Sequence, residues 1–163
     1  MRPSVVCKSG SEPVLEAIVA CVSRIDCSEF FPGHLGMAQR EQRSVVTRFQ
    51  NLLKSELGRS MPHVIWSVEH CPGRNSKDCV DVFGQGRDFV VAIELDKTRA
   101  DQVAKKFVSR MAILPSTTVY FVSLCYPGTE NMNLVECSKY FQYCATLASR
   151  MSNHYAGLII DEA

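Results

Sequence analysis

The chain has little of several things that would decide its class at once. Net charge is one: eighteen Lys and Arg stand against seventeen Asp and Glu, a formal charge of +1. No global field therefore draws the protein to nucleic acid or to an anionic membrane, and a polyanion has to be held by a local patch. No apolar run approaches the roughly 18 to 20 residues of a membrane span, and residues 1–11 lack the apolar core of a secretory signal. The expectation is a cytoplasmic protein with no membrane contact. There is no Gly-rich loop followed by Lys and Ser or Thr, no GxSxG elbow and no HExxH pair, which removes P-loop, esterase-type and zincin chemistry. The four histidines, His34, His63, His70 and His154, are scattered, so spacing supports no Cys and His nucleophile pair.

What is present suits one domain spanning residues 1–163. An apolar fraction of 46% over 163 residues can bury one sizeable core. The eight cysteines sit within apparent helices and strands, in a chain too long to need staples, so free core or loop thiols are expected. Cys21, Cys125 and Cys144 read as small buried hydrophobes. The one grouping with metal-ligand residue types, His70, Cys71 and Cys79, lacks the paired short spacing of a structural zinc site.

Hydrophobic spacing lays out the elements. A helix opens at Ser11, with Glu12 and Pro13 in its first turn and Leu15, Ile18, Val19, Val22 and Ile25 at helical intervals. Residues 27–36 form a loop, whose Phe30 and Phe31 either cap the core or meet a partner. A second helix, 37–57, carries the stripe Val45, Val46, Phe49, Leu52, Leu53 and Leu57, with Gly58 as its stop. The other face bears Arg40, Arg43, Arg48 and Lys54, as a solvated surface or as a phosphate contact.

The period then changes. Residues 63–69, 79–83 and 89–95 read as strands, the last two joined through Gly84, Gln85, Gly86, Arg87 and Asp88 as a β-hairpin. Thr98 opens a helix with the stripe Ala100, Val103, Phe107 and Met111, ended by Pro115. Residues 117–126 suit an inner strand closed by Pro127 and Gly128. A helix over 134–151, with the stripe Val135, Tyr140, Phe141, Cys144, Leu147 and Met151, and a strand over 155–160 follow. The expected architecture is α/β: a central mixed sheet of about five strands flanked by helices, with N-terminal helices over 11–58 and a core over 63–160.

The end of the hairpin carries the chemistry. Along residues 89–97, Val90, Ala92, Glu94 and Asp96 share one face, and Phe89, Val91, Ile93, Leu95 and Lys97 the other. Glu94 and Asp96 have Cα atoms about 6 to 7 Å apart, so their carboxylates can converge on one ion. Asp81, between Val80 and Val82, adds a third hard-oxygen ligand, a set that suits Mg²⁺ or Mn²⁺. The alternative is that these are solvated strand-end carboxylates, or that they pair with Lys97, Arg99 or a helix residue. A turn centred on Gln85 and Gly86 sets Asp81 opposite about Val90 and makes Asp78 a rival third ligand, unless strand twist or a bulge beside the glycines restores Asp81.

Asp81, twelve residues, then Glu94-Leu95-Asp96, within strand, strand, strand, helix, strand, resembles the PD-(D/E)XK nuclease superfamily with its restriction-endonuclease-like fold. The resemblance covers residues 63–160, with the second helix in the place of the family's helix before the sheet. It implies a Mg²⁺- or Mn²⁺-dependent endonuclease acting on DNA or RNA, with Asp81 and Glu94 as metal ligands; homodimers occur among such nucleases. An acid on the preceding helix, used by some members, would be Glu41 or Glu56. The motif lysine is Asp96 here, as third ligand or base. Some members have an acid there, and others take a lysine from the following helix, where Lys97, Lys105 and Lys106 are available, Lys105 or Lys106 as charge stabiliser. The competing expectation is a nuclease-fold protein without catalysis, acting as a binding or assembly subunit with a protein partner.

Overall fold

The computed structural model describes residues 1–72, 78–126, 129 and 131–160. Among them are six strands, four α-helices and a single 3₁₀ turn: β1 (Pro3–Lys8), α1 (Pro13–Val22), a 3₁₀ turn (His34–Gly36), α2 (Gln39–Ser60), β2 (Ile65–His70), β3 (Val80–Gln85), β4 (Phe89–Asp96), α3 (Asp101–Ile113), β5 (Thr118–Cys125), α4 (Leu134–Arg150) and β6 (His154–Ile160). The strands form one mixed sheet in the order β1-β6-β5-β4-β3-β2. β2, β3 and β4 make an antiparallel meander, β4, β5 and β6 run parallel, and β1 pairs antiparallel with β6.

The expected α/β class holds, with a sixth strand added to the expected five. β1 escapes a periodicity reading because it is short, begins with Pro3 and buries only Pro3 and Cys7, which is what an edge strand tolerates. It carries a register shift between Val5 and Cys7.

Alternation along β4 separates two cores. Val91, Ile93 and Leu95 face α1 and α2, joining Leu15, Ile18, Phe49, Leu53 and Leu57. Val90 and Ala92 face α3 and α4, with Val103, Phe107, Phe141 and Tyr155. The α1, α2 and α3 stripes are those the helical spacing predicts, but α4 is rotated from its expected stripe: it buries Cys137, Phe141, Cys144, Ala145 and Ala148 and leaves Val135, Leu147 and Met151 exposed. α2 runs on to Ser60, so Gly58 lies inside it and is not its stop. Phe31 folds back between Phe49 and Tyr126, with ring centroids 4.8 and 4.2 Å away, so the loop aromatics close the first core. Pro127 and Gly128 lie outside the described residues.

Two further corrections concern the hairpins. Gln85 pairs with Val90, and the amide of Gly86 bonds the Phe89 carbonyl at 3.0 Å. The turn thus centres on Arg87 and Asp88, which leaves both charges at an exposed tip. Cys71 and Cys79 form a disulfide, where free thiols were expected. His70 pairs with Val80 across β2 and β3, so the two sulfurs close the next step of the ladder. His70 stacks on Phe83 at 4.0 Å, and among the described residues it joins no group of metal-ligand side chains.

Packing on the second core is closest where β6 meets α4. A Cβ added at Gly157 would lie 2.3 to 2.7 Å from atoms of the buried Phe141 ring. Gly157→Ala should lower stability by about 1 to 3 kcal/mol, as overpacking does. A Cβ at Gly58 would meet Trp66 at an ordinary 4.0 Å, so Gly58→Ala should raise stability by up to about 1 kcal/mol through helix propensity. Urea unfolding of both variants checks the opposite signs.

Candidate active site

Four elements converge at the C-terminal end of β4. β3 brings Asp81, β4 brings Glu94 and Asp96, α3 brings Lys106 and Arg110, and α2 brings Gln50. The observed hairpin register explains the first meeting. Val82 faces Ile93, so one step further sets Asp81 against Glu94, and the Leu95 amide donates to Asp81 Oδ2 at 2.7 Å. The shift of the turn brings Asp81 toward the other two carboxylates.

Lys106 is the centre of the cluster. Its Nζ lies 3.1 Å from Glu94 Oε2, 3.1 Å from Asp96 Oδ1 and 3.7 Å from Asp81 Oδ2, and donates to the Leu95 carbonyl at 2.8 Å. One turn on, at the i,i+4 position, Arg110 donates from Nε to Glu94 Oε1 at 2.8 Å and from an Nη to Asp78 at 2.9 Å. Both Glu94 oxygens are therefore engaged by cations. Gln50, buried on α2, donates to Asp81 Oδ1 at 3.0 Å and to Glu69 at 2.6 Å.

Burial decides the electrostatics. Glu94 is 1% exposed and Asp96 6%, and a carboxylate in such a place is costly without partners. Burial first, then the negative charge of Asp81, pushes the Glu94 carboxyl up to about 7, against the pull of Lys106 and Arg110. Burial likewise raises Asp96, although Lys106 opposes it. For Lys106 burial acts downward, but Asp96, Asp81 and Glu94 outweigh it and hold the ammonium firmly protonated. Two cations for three carboxylates leave the cluster short of positive charge.

That shortage bears on whether these residues fit a divalent cation. The donors are three carboxylates and one main-chain carbonyl, the hard-oxygen chemistry that Mg²⁺ and Mn²⁺ take. Asp96 Oδ2 is buried with no hydrogen-bond partner, a ligand atom left over after the ammonium is satisfied. Among the described residues no group of three His, Cys, Asp or Glu side chains already stands close enough to hold an ion. Lys106 sits between the oxygens, and by residue type the set fits.

The cluster opens onto a cleft of about 500 Å³ between α2 and the β4 to α3 connection, lined among others by Arg43, Thr47, Gln50, Asp96, Lys97 and Tyr126. Of the expected residues, the structure gathers Asp81, Glu94, Asp96 and Lys106. Lys105 is exposed, and Lys97 turns to the side-chain oxygen of Gln42. Asp78 stands one step out, behind Arg110. Glu41 accepts from the Ala38 amide at the start of α2, and Glu56 pairs with Arg59 at 2.6 Å; the α2 side chain bonded to the cluster is Gln50. Arg110 and Gln50 escaped the sequence reading, although each carries a signal: a polar residue within a helix's buried stripe.

Neither a protein-family model nor a curated protein sequence matches the chain.

The ion-pair lattice makes a stability prediction. Arg110→Met leaves a buried carboxylate short of one partner and should cost about 3 to 5 kcal/mol. Adding Glu94→Gln should recover a large part of that loss, since the pair is then removed together. Denaturant midpoints of the single and double variants check this, and an Arg110→Met loss below about 1 kcal/mol would contradict a buried, coupled pair.

Proposed function

We propose that the protein is a metal-dependent nuclease of the PD-(D/E)XK type, with a restriction-endonuclease-like core, that hydrolyses phosphodiester bonds of DNA or RNA. The observation that carries this reading is the position of Lys106. The lysine absent from the strand, where Asp96 stands, is replaced in space by one from α3 whose Nζ lies 3.1 Å from both Glu94 and Asp96. The run α2, β2, β3, β4, α3, β5, with the acids on β3 and β4, supports it further.

Asp81, Glu94 and Asp96 would hold Mg²⁺ or Mn²⁺. Bound there, the ion would lower the pKa of a water and offset phosphate charge. The chain's own groups do the positioning. Gln50 and the Leu95 amide fix the two oxygens of Asp81, and Arg110 orients Glu94. Lys106 is a positive charge at the cleft, near the place where a phosphorane would gather negative charge. Arg43 lines the cleft, and Arg40 lies three residues earlier on the same helix face, so the phosphate-contact reading of that face supplies the local patch the overall charge lacks.

A specific observation favours a second reading, in which the fold serves as a binding subunit without catalysis: both Glu94 oxygens are already satisfied by protein cations. Incubation of the purified protein with single- and double-stranded DNA and RNA in Mg²⁺ or Mn²⁺ separates the two. Cleavage that stops with chelator and is lost in Glu94→Ala and Asp81→Ala is expected. Cleavage surviving Glu94→Ala, or none on any substrate, would defeat the nuclease reading.

Binding is tested separately. Arg40→Glu with Arg43→Glu should weaken nucleic-acid affinity across sequences and reduce the salt dependence of log Kd by roughly one per lost phosphate contact, read by fluorescence anisotropy in a salt series.

A further inference from the structure

Lys106 Nζ is surrounded by four oxygens, those of Glu94, Asp96 and Asp81 and the Leu95 carbonyl, at 2.8 to 3.7 Å. An ammonium has three N–H groups, and the oxygens of Leu95, Glu94 and Asp96 at 2.8 to 3.1 Å match them, which leaves Asp81 Oδ2 at 3.7 Å as a charge contact beyond hydrogen-bond reach. A fifth oxygen, Asp96 Oδ2, is buried beside it without a partner. Two carboxylate oxygens, of Asp81 and Asp96, thus stand near the ammonium without a hydrogen bond from it, and the shell is made of the oxygens that a hard divalent cation takes. Charge agrees: once ionised, the three carboxylates outnumber the single charges of Lys106 and Arg110, and Asp78 draws on Arg110 as well.

We propose that the Lys106 ammonium is the resident cation of the metal site, and that a divalent ion enters by displacing it from the oxygen shell into the cleft. The inference rests on the metal-dependent reading of this cluster and adds an order of events to it. A doubly charged ion in place of the ammonium offsets more of the carboxylate charge than a single one does. Lys106 has room to leave, because its side chain is 29% exposed and lines the cleft. Its flexible stem allows the swing, whereas Arg110 is buried and held at both ends by Glu94 and Asp78. The expelled ammonium then faces the space where a substrate phosphate would lie. One side chain thus serves first as a plug that keeps three buried carboxylates together and then as a phosphate contact.

Competition has a readout that needs no nucleic acid. Calorimetric titration of Mn²⁺ into the wild-type protein and into Lys106→Met should show the variant binding more tightly, by about tenfold or more, because the ion no longer has to expel a paired charge. An unchanged or weaker affinity in a folded variant would overturn the proposal.

Should Lys106→Met fail to fold, the wild-type protein decides. Acylation of lysine amines, followed site by site with mass spectrometry, should speed up several-fold at Lys106 when Mg²⁺ or Mn²⁺ is added, while Lys105 next to it keeps its rate. A Lys106 rate that saturating metal leaves unchanged sinks the displacement. Metal uptake indifferent to Lys106 removes this inference alone and spares the nuclease reading, whereas a wild-type protein that takes up no Mn²⁺ removes both.

Discussion

Glu94 cannot be kept where it is without α3. A carboxylate at 1% exposure is tolerable only with partners of opposite charge and good geometry, and both partners come from one helix, one turn apart. Lys106 and Arg110 reach it only if α3 packs on the face of β4 that carries Glu94 and Asp96. That requirement is met by Val103 and Phe107, which anchor the helix in the second core. The polar centre and the apolar packing therefore constrain one helix together. Gln50 extends the constraint across the sheet, since α2 also has to sit where its amide spans Asp81 and Glu69.

A site held this tightly has an electrostatic cost that is only partly offset. Burial raises the Glu94 and Asp96 carboxyls even with Lys106 in place. Such perturbed groups beside a cleft are more typical of sites that handle charge than of ion pairs kept for stability.

Much of this was legible in the sequence where one residue's placement follows from its neighbours. The alternation of Val90, Ala92, Glu94 and Asp96 against Val91, Ile93 and Leu95 carries over directly into the two cores, because a strand's period leaves no freedom. The hairpin register did not follow. Gly84, Gln85 and Gly86 offer a turn centre as good as Arg87 and Asp88 on local chemistry, and only the exposure of those two charges settles it. Lys106 could be named but not separated from Lys105, since the choice depends on the rotation of α3 about its axis. Arg110 and Gln50 lay hidden in apolar stripes for the same reason. The Cys71 and Cys79 bond depends on the register of β2 against β3, a non-local fact that spacing does not contain.

β1 carries a consequence for how the chain assembles. It pairs with the last strand, Pro3 against Ile160, so that contact spans nearly the entire chain and is entropically the latest to close. Until it does, β6 presents a free edge over His154–Ile160, a segment without a formal charge other than what His154 can carry and with six consecutive buried positions. Unpaired edges of that composition seek other chains. The short N-terminal strand thus acts as an intramolecular guard against self-association during folding, a duty separate from anything that happens in the cleft.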